Sequence, residues 1–375
     1  MWFFDKPDNI CPVHTLNQDA RDYVTDHFSF QDLSMIIGGV CAGLSIITMM
    51  VFNQLHASHL SNPTEQVKIM RIGNLITMFS LFSLLSVCLP KAAVYLHPWL
   101  GLFEGLALGS FFLLLCDYIS PNRDQRDVFL AAKREDGVKW FKTRWVLIFQ
   151  MPIVSFIVAL TANITQALGV YCRWKSSIYF ARLWLNLIQS ISLLVSIIAI
   201  LQFYYTLKKD LARHRPIAKF FAFKLVLILT FLQEIVFWAL RDTGHLRANH
   251  ILTFADIHIG IPSLVICIEM FPLALFFTWA FPWSVYHNKA QDGRGDFESL
   301  DKAGPPKRPY MGGPLGCKGW LGMLNPSDTI QAIMFVFQRA ETPGKRMPDT
   351  GDGMEEPLYP ENHQLHPRGP RAGYE

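Results

Sequence analysis

Residues 33–283 contain seven long apolar stretches, at about 33–53, 69–89, 98–118, 145–167, 178–206, 219–240 and 257–283. A helix needs roughly 20 apolar residues to cross the hydrocarbon core of a bilayer, and each stretch is about that long. Lipid offers no hydrogen-bond partner, so a chain that crosses it must pair its backbone groups internally. The stretches therefore predict an all-α fold, a seven-transmembrane helical bundle. Composition agrees: 51% of residues are hydrophobic and 17% charged, and mean hydropathy is +0.23. A soluble domain carries about 25% charged residues. The net charge of +4 is too small to argue for a nucleic-acid partner. Membrane lipids are the expected surroundings.

The basic residues give the bundle a direction. Segment 119–144 holds Arg123, Arg126, Lys133, Arg134, Lys139, Lys142 and Arg144, and segment 207–218 holds Lys208, Lys209, Arg213 and Arg215. With seven spans, both fall on one side, which positive-inside bias makes cytoplasmic. The N-terminus is then extracellular or lumenal and the C-terminus cytoplasmic. The acidic segment 1–32, with Asp5, Asp8, Asp19, Asp22, Asp26 and Asp32, fits the outer side. The start, Met1-Trp2-Phe3-Phe4-Asp5, lacks a basic region, so the first span is expected to act as its own targeting signal. A plasma, vacuolar or endosomal membrane is the expected location.

Three segments follow: 1–32 outside, 33–283 in the bilayer, and 284–375 as a cytoplasmic tail. Eleven of the 22 prolines lie beyond Trp283, so the tail reads as mostly disordered at 284–320 and 343–375. Within it, Ile330, Ile333, Met334 and Phe337 keep helical spacing, which predicts an amphipathic helix at about 327–340, on the membrane face or against the bundle. Pro306-Lys307-Arg308-Pro309 matches PxxP, a common pattern in such tails. The stretch Asp127–Trp145 mixes apolar and basic residues. It reads as an ordinary positive-inside loop, with a lipid-bound surface helix as the alternative.

The seven cysteines have no CxxC spacing. Cys41, Cys116 and Cys267 read as packing residues. Cys11 and Cys172 both face the side assigned as oxidising, where a bridge between them is an open alternative. Asn163-Ile164-Thr165 is a sequon close to a membrane surface, too close to favour modification.

Away from their very ends, the spans hold the ionisable side chains Arg71, Glu104, Arg182, Lys224, Glu234 and Glu269. Each costs roughly 2.5–3.5 kcal/mol at a helix centre, and such groups commonly mark pathways. Arg71 and Lys224 lie near cytoplasmic ends and are expected to snorkel to headgroups. Glu104 and Arg182 fall in the outer third of their spans, and Glu269 near the middle of the seventh. Arg182, Asn186 and Gln189 share one face of the fifth span. Gln233 precedes Glu234, and Pro262 and Pro272 flank Glu269. The expected substrate-binding residues are thus Glu104, Arg182, Asn186, Gln189, Gln233, Glu234 and Glu269. They would line a polar cavity between the third, fifth, sixth and seventh spans. Static charge pairing that fixes helix packing is the competing reading.

Catalysis finds little support. No GxSxG, HExxH or phosphate-loop pattern occurs, and His245, His250, Asp256 and His258 do not have zinc-ligand spacing. The chain does not read as an enzyme, and neither a metal nor another cofactor is expected.

Several segments resemble the organic solute transporter alpha / transmembrane protein 184 family. They are His59-Leu60-Ser61-Asn62-Pro63-Thr64-Glu65-Gln66 with Ile69-Met70-Arg71-Ile72, Glu104-Gly105, and Asn186-Leu187-Ile188-Gln189-Ser190. Lys219-Phe220 with Phe223-Lys224 and Thr230-Phe231-Leu232-Gln233, Ile266-Cys267-Ile268-Glu269-Met270, and Asn325-Pro326-Ser327-Asp328 complete the set. The resemblance runs over about 33–340. It implies seven helices with an extracellular N-terminus and the transport of organic solutes such as steroid conjugates. A small organic solute is the expected ligand, and a homo-oligomer or a small membrane protein a possible partner. The alternative function is a seven-helix receptor or trafficking scaffold working through its cytoplasmic loops and tail.

The charge asymmetry makes a direct prediction. In sealed membranes of known orientation, protease should remove an N-terminal tag from the outer side and spare a C-terminal one. The reverse pattern would overturn the assigned topology.

Overall fold

The computed structural model describes residues 11, 16, 28–120, 122–174, 177–211, 216–249, 251–286 and 310–338. The helices are α1 (Phe30–Ser58), α2 (Pro63–Cys88), α3 (Pro90–Ile119), α4 (Arg123–Lys133), α5 (Gly137–Ala167), α6 (Ala181–Leu211), α7 (Pro216–Asp242), α8 (Ile261–Ala280), α9 (Cys317–Leu324) and α10 (Ser327–Gln338). A π-helical turn, Asp256–Gly260, leads into α8. Seven of the helices, all but α4, α9 and α10, are long and apolar enough to cross a membrane. α3 and α5 begin at residues 90 and 137, earlier than the apolar stretches at 98 and 145. Helical hydrogen bonding continues past the hydrocarbon wherever no residue interrupts it, so hydropathy undercounts helix length. The extension places Glu104 at the midpoint of α3 rather than in its outer third.

Local chemistry sets the helix ends. Ser29 and Asp32 form a capping box at α1: the Ser29 hydroxyl accepts from the Asp32 amide at 3.2 Å, and the Asp32 carboxylate accepts from the Ser29 amide at 3.1 Å. Asn122 caps α4 by accepting from the Asp124 amide at 2.9 Å. Thr253 and Asp256 cap the π turn in the same way, the Asp256 carboxylate accepting from the Thr253 amide at 2.9 Å. Asp256 is therefore a buried cap, and His258 stacks on Phe254. Neither belongs to a metal cluster among the described residues, and His250 lies outside them.

α3 is the most buried span. α2 and α5 pack on it, α1 and α8 pack on α2, α6 packs on α5, and α7 packs on α8. The spans thus form an arc, α7–α8–α1–α2–α3–α5–α6, whose ends α6 and α7 come round the free flank of α3. Small residues set the closest crossings. A Cβ on Gly105 would lie 3.0 Å from the Pro152 backbone of α5, where no flexible side chain can give way.

The basic-loop end of the bundle is polar and tightly bonded. Lys68 of α2 and Asp117 of α3 form an ion pair, with side chains 2% and 4% exposed. The Gln66 carbonyl oxygen accepts from the Ser61 and Asn62 amides at 2.9 Å, while its amide donates to the His56 and His59 carbonyls, fixing the α1–α2 turn. Lys219 of α7 donates to the Tyr118 hydroxyl at 2.6 Å, and the Tyr286 hydroxyl donates to Glu65 at 2.9 Å. α4 packs on α5 and is tied to α6 through Lys133 and Asp210. The loop is thus a docked helix, with Arg126 buried over Phe141.

The tail returns to this end. α10 lies against α5, and Trp145 donates to the Ala332 carbonyl at 3.0 Å. Residues 310–320, a described part of the stretch that composition assigns to disorder, pack on the bundle and run into α9. Gly316 and Gly319 let this segment lie directly on Ala57, where an added Cβ would come within 2.9 Å of the Ala57 Cβ. Met311 donates its amide to the Leu60 carbonyl at 2.8 Å, and the Trp320 indole donates to Gln54 at 2.8 Å. Disorder was read from a proline-rich average, whereas a few glycines and one indole decide the docking. The Arg71 guanidinium meets the Asp328 carboxylate at 2.7 Å and donates to the Gly322, Met323 and Asn325 carbonyls. The PxxP segment lies outside the described residues.

At the opposite end, Cys11 and Cys172 are bridged, with Cα atoms 5.6 Å apart. The bond ties the N-terminal segment to the α5–α6 connection. The sequon residue Asn163 packs on α3: with its amide oriented to satisfy both neighbours, it accepts from the Trp99 indole at 2.9 Å and donates to the Tyr95 carbonyl at 3.1 Å.

Lys68→Ala strands a buried Asp117 and is expected to cost about 3–5 kcal/mol, read as a lowered unfolding midpoint of the purified protein. Lys68→Met combined with Asp117→Leu should restore most of that loss.

Candidate functional site

The structure divides the seven residues expected to bind solute. Glu104, halfway along α3, faces Lys224 of α7 electrostatically. Lys224 is 5% exposed, buried against the bundle. The buried Lys224 ammonium is thus within electrostatic reach of the Glu104 carboxylate on α3. On the next interface, the Gln233 amide of α7 donates to the Glu269 carboxylate of α8. Glu269 sits near the middle of the 256–286 span, far from either surface. The side chain of Glu234 lies outside the described ones.

Gln189 of α6 sits beside Gly101 of α3, one turn from Glu104. Its amide donates to the Ser155 hydroxyl at 2.9 Å. Its carbonyl oxygen is buried and has no hydrogen-bond partner among the described residues. Arg182 lies apart: it donates to the Arg173 carbonyl and so holds the α5–α6 connection. Asn186 is exposed on the outer flank of α6. Helical spacing put Arg182, Asn186 and Gln189 on one broad face, but α6 touches the bundle along a narrower stripe. Only Gln189 turns inward to α3.

Among the described residues α6 and α7 make almost no contact, although they follow each other in the chain. The gap is a crevice of about 230 Å³ on the flank of α3. Its floor is Phe111 and Leu115, and its walls include Ile200, Tyr204 and Phe220. Glu104, Phe111 and Leu115 fall on one stripe of α3, as Lys224 and Phe220 do on α7. The charge pair therefore lies about two turns along from the crevice, towards the N-terminal end of α3.

The arrangement is seven candidate spans, a buried Lys224 within electrostatic reach of Glu104, and a second polar contact at Glu269. A sequence model described as organic solute transporter Ostalpha matches residues 34–286. The chain belongs to this family. A transmembrane protein 184 homolog from Dictyostelium discoideum is 25% identical over 273 residues, 68% of this chain and 54% of that protein. Protein LAZ1 from Arabidopsis thaliana is 26% identical over 277 residues, 65% of this chain and 56% of that protein. The chain spans about half the length of these curated relatives. No solved structure matches it.

Within this Ostalpha-family bundle, sequence reasoning missed two polar sets. Gln150, Ser192 and Ser196 bond α5 to α6: the Ser192 hydroxyl donates to Gln150 at 2.9 Å, and the Gln150 amide donates to Ser196 at 3.1 Å. The Lys68–Asp117 pair was missed because Lys68 lies just outside the apolar stretch and Asp117 at the end of one. A signal was available, since Asp117 is an acid within an otherwise apolar run.

Gly101 offers a test of this geometry. A Cβ there would lie 2.8 Å from the Gln189 amide nitrogen. Gly101→Ala should lower the unfolding midpoint, and a Gln189→Ala background should remove most of that cost. Additive costs would show that Gln189 is not the obstacle.

Proposed function

We propose that this protein transports an amphipathic organic solute across the membrane, along a path that passes the polar residues at mid-depth. The observation that carries the reading is the buried Lys224 ammonium of α7 within electrostatic reach of Glu104, which lies halfway along α3. Charges there are expensive, and a hydrophobic pair would pack the helices at least as well. The family name supports transport, and it describes relatives rather than this chain.

The roles follow from the chemistry. Lys224 offers a cation to an anionic group of the solute, with the Glu104 carboxylate as its counter-charge. The unpaired Gln189 oxygen accepts a hydrogen bond from a solute hydroxyl or amide. Glu269, held by Gln233, is a second carboxylate for a proton or a cation. The end carrying the basic loops faces the cytoplasm. The Cys11–Cys172 bridge supports the opposite end facing an oxidising space.

Flux of a panel of amphipathic anions and cations into vesicles reconstituted with the full chain tests the reading. Glu269→Gln and the neutral pair Glu104→Gln/Lys224→Met should each slow transport at least about tenfold, equivalent to about 1.4 kcal/mol. Arg182→Ala, which loosens a connection, should change it less. Wild-type flux in a folded Glu104→Gln/Lys224→Met variant would reduce the pair to a packing device and overturn the assignment.

A further inference from the structure

The crevice between α6 and α7 has features that a solute path does not need. It lies on the flank of α3, and the two helices that wall it carry exposed apolar side chains, such as Ile198 of α6 and Phe221 and Ile228 of α7. In a bilayer such a flank faces acyl chains. At about 230 Å³ it falls below the roughly 300–1,000 Å³ that encloses a drug-sized ligand. It fits part of a long chain whose remainder stays in the membrane.

The crevice is also polar at one end. Leu201 and Ile200 wall its apolar part, while Tyr205 and Lys208 line it towards the end of α6. Lys208 is exposed and makes no ion pair among the described residues. Several basic side chains at this end are engaged, Lys133 with Asp210, Lys219 with Tyr118, Arg71 with Asp328 and Arg144 with Gln202; Lys209 is exposed like Lys208 but does not line the crevice. Tyr205 is 68% exposed, in the position of an interfacial aromatic. An apolar slot ending in an unpaired ammonium and a tyrosine at headgroup depth complements one molecule type, an acyl chain carrying an anionic headgroup.

We infer that the crevice between α3, α6 and α7 binds an anionic glycerophospholipid, with an acyl chain against Phe111, Leu201 and Phe220 and its phosphate on Lys208. The lipid comes from the leaflet at the basic-loop end, where anionic lipids concentrate if that end is cytoplasmic. It fills a gap that two consecutive helices leave open, and it holds α6 and α7 at their observed separation. The site is distinct from the Glu104–Lys224 pair and does not depend on transport.

Lipid retention by the full-length protein tests this. The protein is stripped in detergent and titrated with phosphatidylserine, phosphatidylcholine or inorganic phosphate, and bound molecules are counted by native mass spectrometry. One phosphatidylserine should be retained about fivefold better than phosphatidylcholine, the preference expected of one lysine near a headgroup. Lys208→Gln should abolish the preference, and Leu201→Trp, which fills the slot, should abolish retention of both lipids. Lys91→Gln, at the opposite end, should change neither. Equal retention of the two lipids by the wild type, or an unchanged preference in Lys208→Gln, would overturn the inference. So would retention of inorganic phosphate with no lipid preference, which would mark a free-anion site. Lys208 is exposed, so its variant keeps the test decisive even where Leu201→Trp lowers stability.

Discussion

A charge inside this bundle has no water to turn to, and the ion pair of Lys68 with Asp117 meets that constraint at the point where the helices converge. It joins α2 to α3, the most buried span. Around it, Gln66 closes the α1–α2 turn, Lys219 brings α7 to Tyr118, and Tyr286 brings the end of the seventh span to Glu65. Four spans and one turn thus share a polar layer at the basic-loop end. Removing one partner leaves the other charged in a dry place, so the layer stays together or fails together.

The same rule explains the tail. Arg71 enters the bilayer region on α2, and the carbonyls of Gly322, Met323 and Asn325 with the Asp328 carboxylate close over it. The end of α9 supplies unsatisfied carbonyls, and the start of α10 supplies an acid where a helix N-terminus favours one. The hairpin is therefore a counter-charge for α2 as well as a cover for the apolar surface around Trp145. Glu104 and Lys224 obey the rule differently. Glu104 sits halfway along α3 and Lys224 about two turns into α7, both away from the layer.

Much of the fold was legible in the sequence because hydropathy is local. Seven runs gave seven spans, and the amphipathic spacing of Ile330, Ile333, Met334 and Phe337 gave α10. The sites were less legible. Arg182, Asn186 and Gln189 share a helical face, yet only Gln189 meets α3, because the contact stripe of α6 is narrower than the face that spacing defines. Snorkelling was a sound expectation for Arg71 and Lys224 by depth alone. The structure adds what depth could not show: Arg71 meets Asp328 from a distant part of the chain, and Lys224 lies within electrostatic reach of Glu104. Cys11 and Cys172 were alternatives on one side of the membrane, and no local pattern could join residues 161 apart.

The sequence by itself determined that the chain must be helical, how many times it crosses the membrane, and which residues would be costly there. These follow from the length of apolar runs and the price of burying a charge, which depend on each residue and its near neighbours. Only the tertiary structure decided which costly residue meets which: Lys68 with Asp117, Arg71 with Asp328, Lys224 with Glu104. It alone left α6 and α7 apart. Pairing is a matter of distance between helices, and the order of residues along the chain does not contain that distance.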